Sequence, residues 1–164
     1  MATTTTTWFC DQCGDVIEAA AHGWVEWLDR PATPGHPRCG REVRIVHDRG
    51  HSPSDQGCQY RAGADYNPRE AGVGDRLLAE FAGPDGPALL LEFLADGRLE
   101  REEALGLARR VLIPGYEATH RSFVAAVEAG VLGEDQDLRF PRQVDINAVL
   151  DWLNEPEEAA EGSA

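Results

Sequence analysis

The pattern of apolar and polar positions changes its period near residue 74. Before that point, the tryptophans of GWVEW at 23–27 and the alternating REVRIVH at 41–47 predict two short β-strands. Residues 29–42 contain three prolines and two glycines, which predicts a long turn between them. The first part of the chain is therefore expected to form a hairpin in which His47 returns beside Gly23.

Beyond residue 74, apolar residues recur at the spacing of amphipathic helices. The segment 100–112 shows this most clearly, because acidic residues occupy its first turn and Arg109 and Arg110 its last, as the helix dipole favours. Pro87 suits a helix start, and Asp145 is a candidate cap. The five predicted helices cover 75–81, 86–97, 100–112, 116–130 and 145–154.

These patterns predict an α+β protein in which a small β module precedes an α-helical bundle of about five helices. The module is assigned to residues 8–62 and the helical domain to residues 75–154, with 63–74 as a linker. Residues 155–164, EPEEAAEGSA, are predicted to be a disordered acidic tail. We expect the two domains to fold separately.

The formal net charge of −14 is distributed unevenly over the 164 residues. Residues 1–62 contain eight acidic residues and six arginines, whereas 63–164 contain 21 acidic residues and nine arginines. The acidic part disfavours binding to phosphate backbones and anionic lipids. The N-terminus lacks the features of a signal peptide, and the apolar stretch 87–95 is too short to cross a bilayer. We therefore predict a cytoplasmic protein with reduced cysteines and no membrane partner.

A metal site is predicted at the N-terminus, where Cys10, Cys13 and Gly14 form a C-x2-C-G knuckle. Glycine accepts the left-handed backbone of such a turn, so that N–H groups can point at the thiolates. A structural Zn²⁺ site needs two further ligands. With them, the β module would be zinc-ribbon-like.

Two pairs of residues compete for the remaining ligand positions. His36 and Cys39 form a second knuckle-like motif, whereas ten residues separate His47 from Cys58. The hairpin would carry 36–39 to its far tip and return His47 towards the knuckle. The topology of the hairpin therefore favours a structural Zn²⁺ bound by Cys10, Cys13, His47 and Cys58. The local motif favours His36 and Cys39, which remain the alternative pair.

The chain also resembles a group of uncharacterised bacterial proteins. The likeness covers most of residues 8–130 and is carried by WFCDQCG, GWVEW, RIVHDRGHSPSDQGCQY, FAGPDGPALLLEFLADG and LIPGYEATHRSFVAAVEAG. These proteins look like an N-terminal WFCxxCG zinc-binding module followed by a helical region. The resemblance implies Cys10, Cys13, His47 and Cys58 as ligands, and it implies no activity.

Three classes of function are compatible with these features. The leading one is a non-enzymatic adaptor, with structural zinc and a helical part that docks a protein partner. The second is a nucleic-acid-associated regulator that acts through residues 8–62, using an aromatic and basic face. That face would comprise Trp24, Trp27, Tyr60, Arg44, Arg49 and Arg61. The third is a zinc hydrolase, which is weakest because no H-x-E or H-E-x-x-H motif is present and no catalytic residue is predicted.

Overall fold

The computed structural model describes residues 7–31, 35 and 37–155. The chain forms two compact units, one spanning Thr7–Ile113 and the other containing the residues from Pro114 onward. Strands and helices are both present, which confirms the α+β class. His36 and residues 156–164 of the predicted tail lie outside the described part of the chain.

The first unit contains two antiparallel sheets. Strands β1 (Trp8–Phe9) and β2 (Val16–Ile17) flank the knuckle, and β3 (Gly23–Pro31), β4 (Arg38–His47) and β5 (Gly72–Leu77) form a second sheet in the order β4-β3-β5. The predicted hairpin is confirmed, and Gly23 pairs with His47. Its strands are longer than predicted because pairing continues through Pro31 and Arg38.

Strand β5 was not predicted, since residues 72–77 belong to the expected linker and the first expected helix. Six residues of β5 pair with β3, from Leu77 opposite Trp24 to Gly72 opposite Asp29. The short sequence GVGDRL lacks the alternation of a typical strand, so pairing with β3 determines its conformation.

Three helices follow β5 in the same unit: α1 (Leu78–Ala82), α2 (Gly86–Ala95) and α3 (Arg101–Leu112). Pro87 lies in the first turn of α2, and the charges of α3 are distributed as predicted. Glu103 of α3 attaches this helix to β4, because its carboxylate accepts the backbone N–H groups of Glu42 (2.9 Å) and Val43 (3.1 Å). These two N–H groups lie where the pairing register between β3 and β4 shifts. At this irregularity Glu42 has a positive φ of 55°.

A single core joins the sheets to α1, α2 and α3. It contains side chains from both sheets together with Phe81, Phe93, Ala104 and Leu107 of the helices. The boundary between compact units therefore lies at Ile113/Pro114, later than the predicted boundary at 63–74. The sheet and the helices form one unit because they share a core. Side chains alternate along β3, and Val25 and Trp27 project towards the helices, so the hairpin supplies only one part of this core.

Trp27 illustrates how closely this core is packed. Its indole lies edge-on to Phe93, with ring centroids 5.6 Å apart. Gly40 of β4 and Gly74 of β5 approach the same indole, and a Cβ atom on either would lie 2.4 Å or less from it. The two glycines are thus required by the size of the tryptophan.

Replacing Gly74 by alanine is expected to lower the free energy of unfolding by about 3 kcal/mol, because the new methyl group would overlap the buried indole. Urea denaturation followed by tryptophan fluorescence measures this loss. Gly72→Ala is the matched control on β5, since its Cβ would have no neighbour closer than 3.9 Å. Equal stability of the two variants would contradict the packing described for Trp27.

The second unit contains α4 (Tyr116–Thr119), α5 (Phe123–Glu128) and α6 (Gln143–Leu153). A 3-10 turn at His120–Ser122 interrupts the single helix that was predicted over 116–130. The Thr119 hydroxyl donates to the Gly115 carbonyl at 2.9 Å, and such side-chain bonds compete with the helical ladder. Asp145 accepts the backbone N–H of Arg142 at 2.8 Å, so it caps α6 from within the first turn.

Within the residues that the structure describes, none of the helices combines the length and the apolar character needed to cross a membrane. The longest of them, α3, has 12 residues. The predicted cytoplasmic location stays a prediction.

Candidate metal centre

The knuckle between β1 and β2 is a tight backbone turn. Gly14 donates its N–H to the Cys10 carbonyl at 2.8 Å, and Cys10 donates to the Asp15 carbonyl at 2.9 Å. Gly14 has a φ of 84°, as the knuckle motif predicts. The turn places the Cys10 and Cys13 side chains within one small region.

Asp11 attaches this knuckle to the outer edge of β4. Its backbone N–H donates to the Ile45 carbonyl at 2.8 Å, and its carboxylate accepts the Ile45 N–H at 2.7 Å. Asp11 therefore pairs with Ile45 much as a residue of a neighbouring strand would, with its carboxylate in the place of a backbone carbonyl. Because His47 follows Ile45 by two residues, this attachment brings the knuckle beside the histidine ring.

Cys10, Cys13, His47 and Cys58 meet at this position, and their ligand atoms all lie within 4.8 Å of one another. His47 Nδ1 is 3.5 Å from the Cys13 sulfur and 3.9 Å from the Cys58 sulfur. Tetrahedral Zn²⁺ with ordinary bond lengths would separate its ligand atoms by roughly 3.6–3.8 Å. The cluster could therefore hold a metal ion after small adjustments. Cys10, His47 and Cys58 are buried, whereas Cys13 is exposed.

Neighbouring groups orient the His47 and Cys58 side chains. His47 Nε2 lies 3.1 Å from the Val16 carbonyl, which can only accept a hydrogen bond, so Nε2 carries the proton. The Nδ1 lone pair is then directed at the sulfur atoms, as in metal sites where a second hydrogen bond fixes the tautomer. The Ser52 hydroxyl lies 3.1 Å from the Cys58 sulfur and can donate to it. Gln59 donates to the His47 carbonyl at 3.0 Å.

The three thiols differ in acidity because they share this small space. Burial opposes ionisation of Cys10, but hydrogen bonds from nearby backbone groups outweigh it and lower the pKa of this thiol to about 7. Burial and the neighbouring Cys10 sulfur raise the pKa of Cys13 to about 12, and the same two causes raise the pKa of Cys58. A bound cation would favour all three thiolates together, since a coordinating thiol is deprotonated.

The competing ligand pair receives no support from Cys39. This residue pairs with Arg30, seven positions along β3 from Gly23 and the His47 end of the hairpin. That spacing corresponds to about 23 Å along a strand. Its predicted companion His36 lies outside the described residues. His51, another potential ligand, instead lies 2.9 Å from the Asp48 carboxylate through Nδ1.

The proposed aromatic and basic face for nucleic acid is largely occupied by contacts within the protein. Arg44 pairs with the buried Glu26 at 2.5 Å and lies over the Tyr60 ring, 3.5 Å from its centroid. Arg61 pairs with Asp65 at 3.3 Å. Trp27 is buried in the core, so its ring is not available to stack on a base. Trp24 and Arg49 keep part of their surface accessible.

Sequence reasoning missed several residues that position the ligands. Asp11 could have been suspected from its place between the two knuckle cysteines, but its attachment to β4 depends on a register that sequence does not specify. Arg110 of α3 donates to the Asp11 carboxylate at 2.6 Å from 99 residues away. Ser52 and the Val16 carbonyl also carry no recognisable motif.

The resemblance to WFCxxCG proteins stays a prediction. A comparison of the chain with family models, curated proteins and solved structures gives no match.

Proposed function

We propose that this protein is a non-enzymatic adaptor in which a structural Zn²⁺ stabilises a zinc-ribbon-like module and the helical part docks a protein partner. The observation that carries the proposal is the convergence of four protein ligand atoms, three sulfurs and one imidazole nitrogen, within 4.8 Å. Cys10, Cys13, His47 and Cys58 are the ligands.

The donor set supports Zn²⁺ as the metal. Three soft thiolates and one imidazole match the Cys3His composition of structural zinc sites. The hydrogen bond from His47 Nε2 to the Val16 carbonyl leaves Nδ1 as the only nitrogen of this ring that can bind the ion. A hard cation such as Mg²⁺ or Ca²⁺ would need oxygen ligands, and the cluster contains none.

The same geometry favours a structural role over hydrolysis. Catalytic zinc sites use three protein ligands and leave the fourth position to water, whereas this cluster supplies four. No carboxylate belongs to the cluster among the described residues, so none is placed there as a general base for a zinc-bound water.

Exposed apolar side chains on the helical part support a protein partner. In the unit that begins at Pro114, Val124, Phe140 and Val144 are each more than half exposed. The acidic surface of this part would direct binding towards a basic or neutral protein surface and away from phosphate. Arg44 and Arg61, which a nucleic acid would need, already have acidic partners.

Elemental analysis of protein prepared reduced and without chelator is expected to give one zinc per chain. Cys39→Ser should leave this stoichiometry unchanged, because Cys39 lies at the opposite end of the hairpin from His47. Metal-free wild-type protein would refute the zinc site. Loss of zinc in Cys39→Ser alone would transfer the ligand assignment to His36 and Cys39.

Partner docking can be tested by affinity capture from the native host with wild type, Val144→Glu and Asn147→Glu. Both variants add one negative charge to an exposed position of α6, but only the first removes an apolar side chain. We expect Val144→Glu to reduce recovery of a protein partner at least fivefold, while Asn147→Glu retains it. Recovery of nucleic acid instead, with salt-sensitive binding lost in Arg49→Glu, would favour the regulator.

A further inference from the structure

An open cavity of about 350 Å³ lies beside Trp24 and Glu26, which alternate along β3 with the core residues Val25 and Trp27. Trp24 and Glu26 project into it from β3, and Val73 and Asp75 line it from β5. The segment after the metal ligand Cys58 forms its other wall, and the complete lining is Trp24, Glu26, Arg49, Gln59, Tyr60, Tyr66, Val73 and Asp75. Its volume is in the range of small-ligand sites.

Three aromatic rings line this cavity: Trp24, Tyr60 and Tyr66. The Tyr60 and Tyr66 rings stand at 84° to each other, with centroids 6.4 Å apart, so they form two walls of a corner. The face of an aromatic ring carries partial negative charge and attracts cations. Arg44 already uses this property of Tyr60, since its guanidinium carbon lies 3.5 Å from the ring centroid.

Two carboxylates lie beside these rings. Glu26 and Asp75 occupy paired positions on β3 and β5, and the charge of Asp75 contributes to a raised pKa of Glu26, whose main cause is burial. Glu26 is satisfied by Arg44 and by the Tyr60 N–H. Asp75 is exposed, and its carboxylate has no hydrogen bond or ion pair among the contacts of the described residues. Asp75 is thus the negative charge available to a ligand.

We infer that this cavity binds a small organic quaternary ammonium ion, with the aromatic rings around the alkylated cation and Asp75 supplying the counter-charge. Such a cation cannot donate hydrogen bonds, so ring faces and one carboxylate suit it better than a set of carbonyl acceptors would. The inference rests on the sheet and its covering segment, and it depends on neither the identity of the metal nor a protein partner.

Arg49 lies at the end of the cavity away from Asp75. It follows His47, which pairs with Gly23, whereas Asp75 pairs with Glu26 three positions further along β3. Its exposed side chain would repel a bound cation moderately from that end. Because Arg44 compensates Glu26, Asp75 is the uncompensated charge beside the aromatic rings, and it favours a cation over an anion.

Isothermal titration calorimetry of the full chain with choline tests the inference. We expect saturable binding with one site per chain, and at least tenfold weaker binding of 3,3-dimethylbutan-1-ol, the uncharged analogue of choline. That factor corresponds to about 1.4 kcal/mol. Equal affinity for the two compounds, or no saturable binding of choline at up to 50 mM (roughly a −1.8 kcal/mol limit), would overturn the inference.

Variants of the lining separate charge from packing. Asp75→Asn keeps the size of an exposed side chain and is expected to weaken choline binding about tenfold, and Arg49→Ala should strengthen it about twofold. Glu102→Gln, an exposed acidic residue in the first turn of α3, is the control and should bind as wild type does. Unchanged affinity in Asp75→Asn would overturn the assignment, provided that its zinc content and circular dichroism match wild type.

Discussion

Replacing Cys58 by alanine is expected to abolish metal binding and to lower the free energy of unfolding of the unit Thr7–Ile113 by about 5 kcal/mol or more. Cys58 is a buried member of the four-ligand cluster, and three remaining ligands would leave the metal site open. Elemental analysis and urea denaturation followed by tryptophan fluorescence measure the two losses. Cys39→Ala removes a thiol from the same unit and is expected to cost less than 2 kcal/mol without loss of metal.

The effect should extend to the helices because two of the four candidate ligands belong to the same core as α2 and α3. Cys10 and Cys58 are part of the cluster that contains Phe93 and Leu107. Arg110 of α3 also donates to Phe9 and to Asp11, on either side of Cys10 in the chain. Releasing the knuckle would therefore remove contacts from α3 as well as from the sheet.

Chelation of the metal should accordingly reduce helical circular dichroism together with the tryptophan signal. This expectation differs from the sequence-based one, in which residues 75–154 would stay folded. A tryptophan change with fully retained helical signal would favour separate folding of 8–62. A partial helical loss is the expected result, because α4, α5 and α6 belong to the other compact unit.

The clustering of the four side chains was predictable because the topology of the hairpin decided between two candidate pairs. The C-x2-C-G motif identified one half of the site, and hairpin pairing placed His47 beside Gly23 at the correct end of the sheet. The local motif around His36 and Cys39 offered a rival, and only the direction of the chain argued against it. Pairing of Cys39 with Arg30 explains why that end of β4 is remote from the cluster.

Features that depend on distant contacts were not predictable. Strand β5 forms because the edge of β3 is available for pairing, although its own sequence resembles a linker followed by a helix. The break between α4 and α5 reflects hydrogen bonding by Thr119, which the apolar periodicity does not reveal. The contact between Arg110 and Asp11 spans 99 residues, so no local pattern could indicate it.

Arg44 connects the sheet to both segments that carry cysteine ligands. Its guanidinium donates to the Glu26 carboxylate, to the Gln12 side chain at 2.8 Å and to the Cys58 carbonyl at 3.3 Å. Gln12 lies between Cys10 and Cys13 in the knuckle. Only 2% of the Glu26 side chain is exposed, so Arg44 is the positive charge that compensates a carboxylate removed from water.

Arg44→Met is expected to lower the free energy of unfolding by about 3–5 kcal/mol at pH 7.5, because it leaves the buried Glu26 carboxylate without its cation. Urea denaturation of the metal-loaded protein measures this loss. Arg30→Met is the control on the neighbouring strand. Its ion pair with Glu42 is nearly half exposed and should contribute less than about 1 kcal/mol.

The pH dependence of this loss identifies Glu26 as its cause. Burial already raises the pKa of Glu26, and removing Arg44 would raise it further because the hydrogen bond and charge of the guanidinium lower it. The folded variant would then hold the Glu26 proton more tightly than the unfolded chain does. Its deficit relative to wild type is therefore full above the folded pKa and shrinks as pH falls through that pKa.

Stability measured at pH 5.5 and 7.5 should accordingly show a smaller difference between Arg44→Met and wild type at the lower pH. Adding Glu26→Gln should recover more than half of the loss at pH 7.5, since a neutral amide can still accept the Tyr60 N–H that Glu26 now accepts. Because variant and wild type are compared at the same pH, protonation of the metal ligands affects both proteins equally and cancels. A deficit that is equal at both pH values and persists in the double variant would mean that Arg44 acts through its contacts with Gln12 and Cys58 instead.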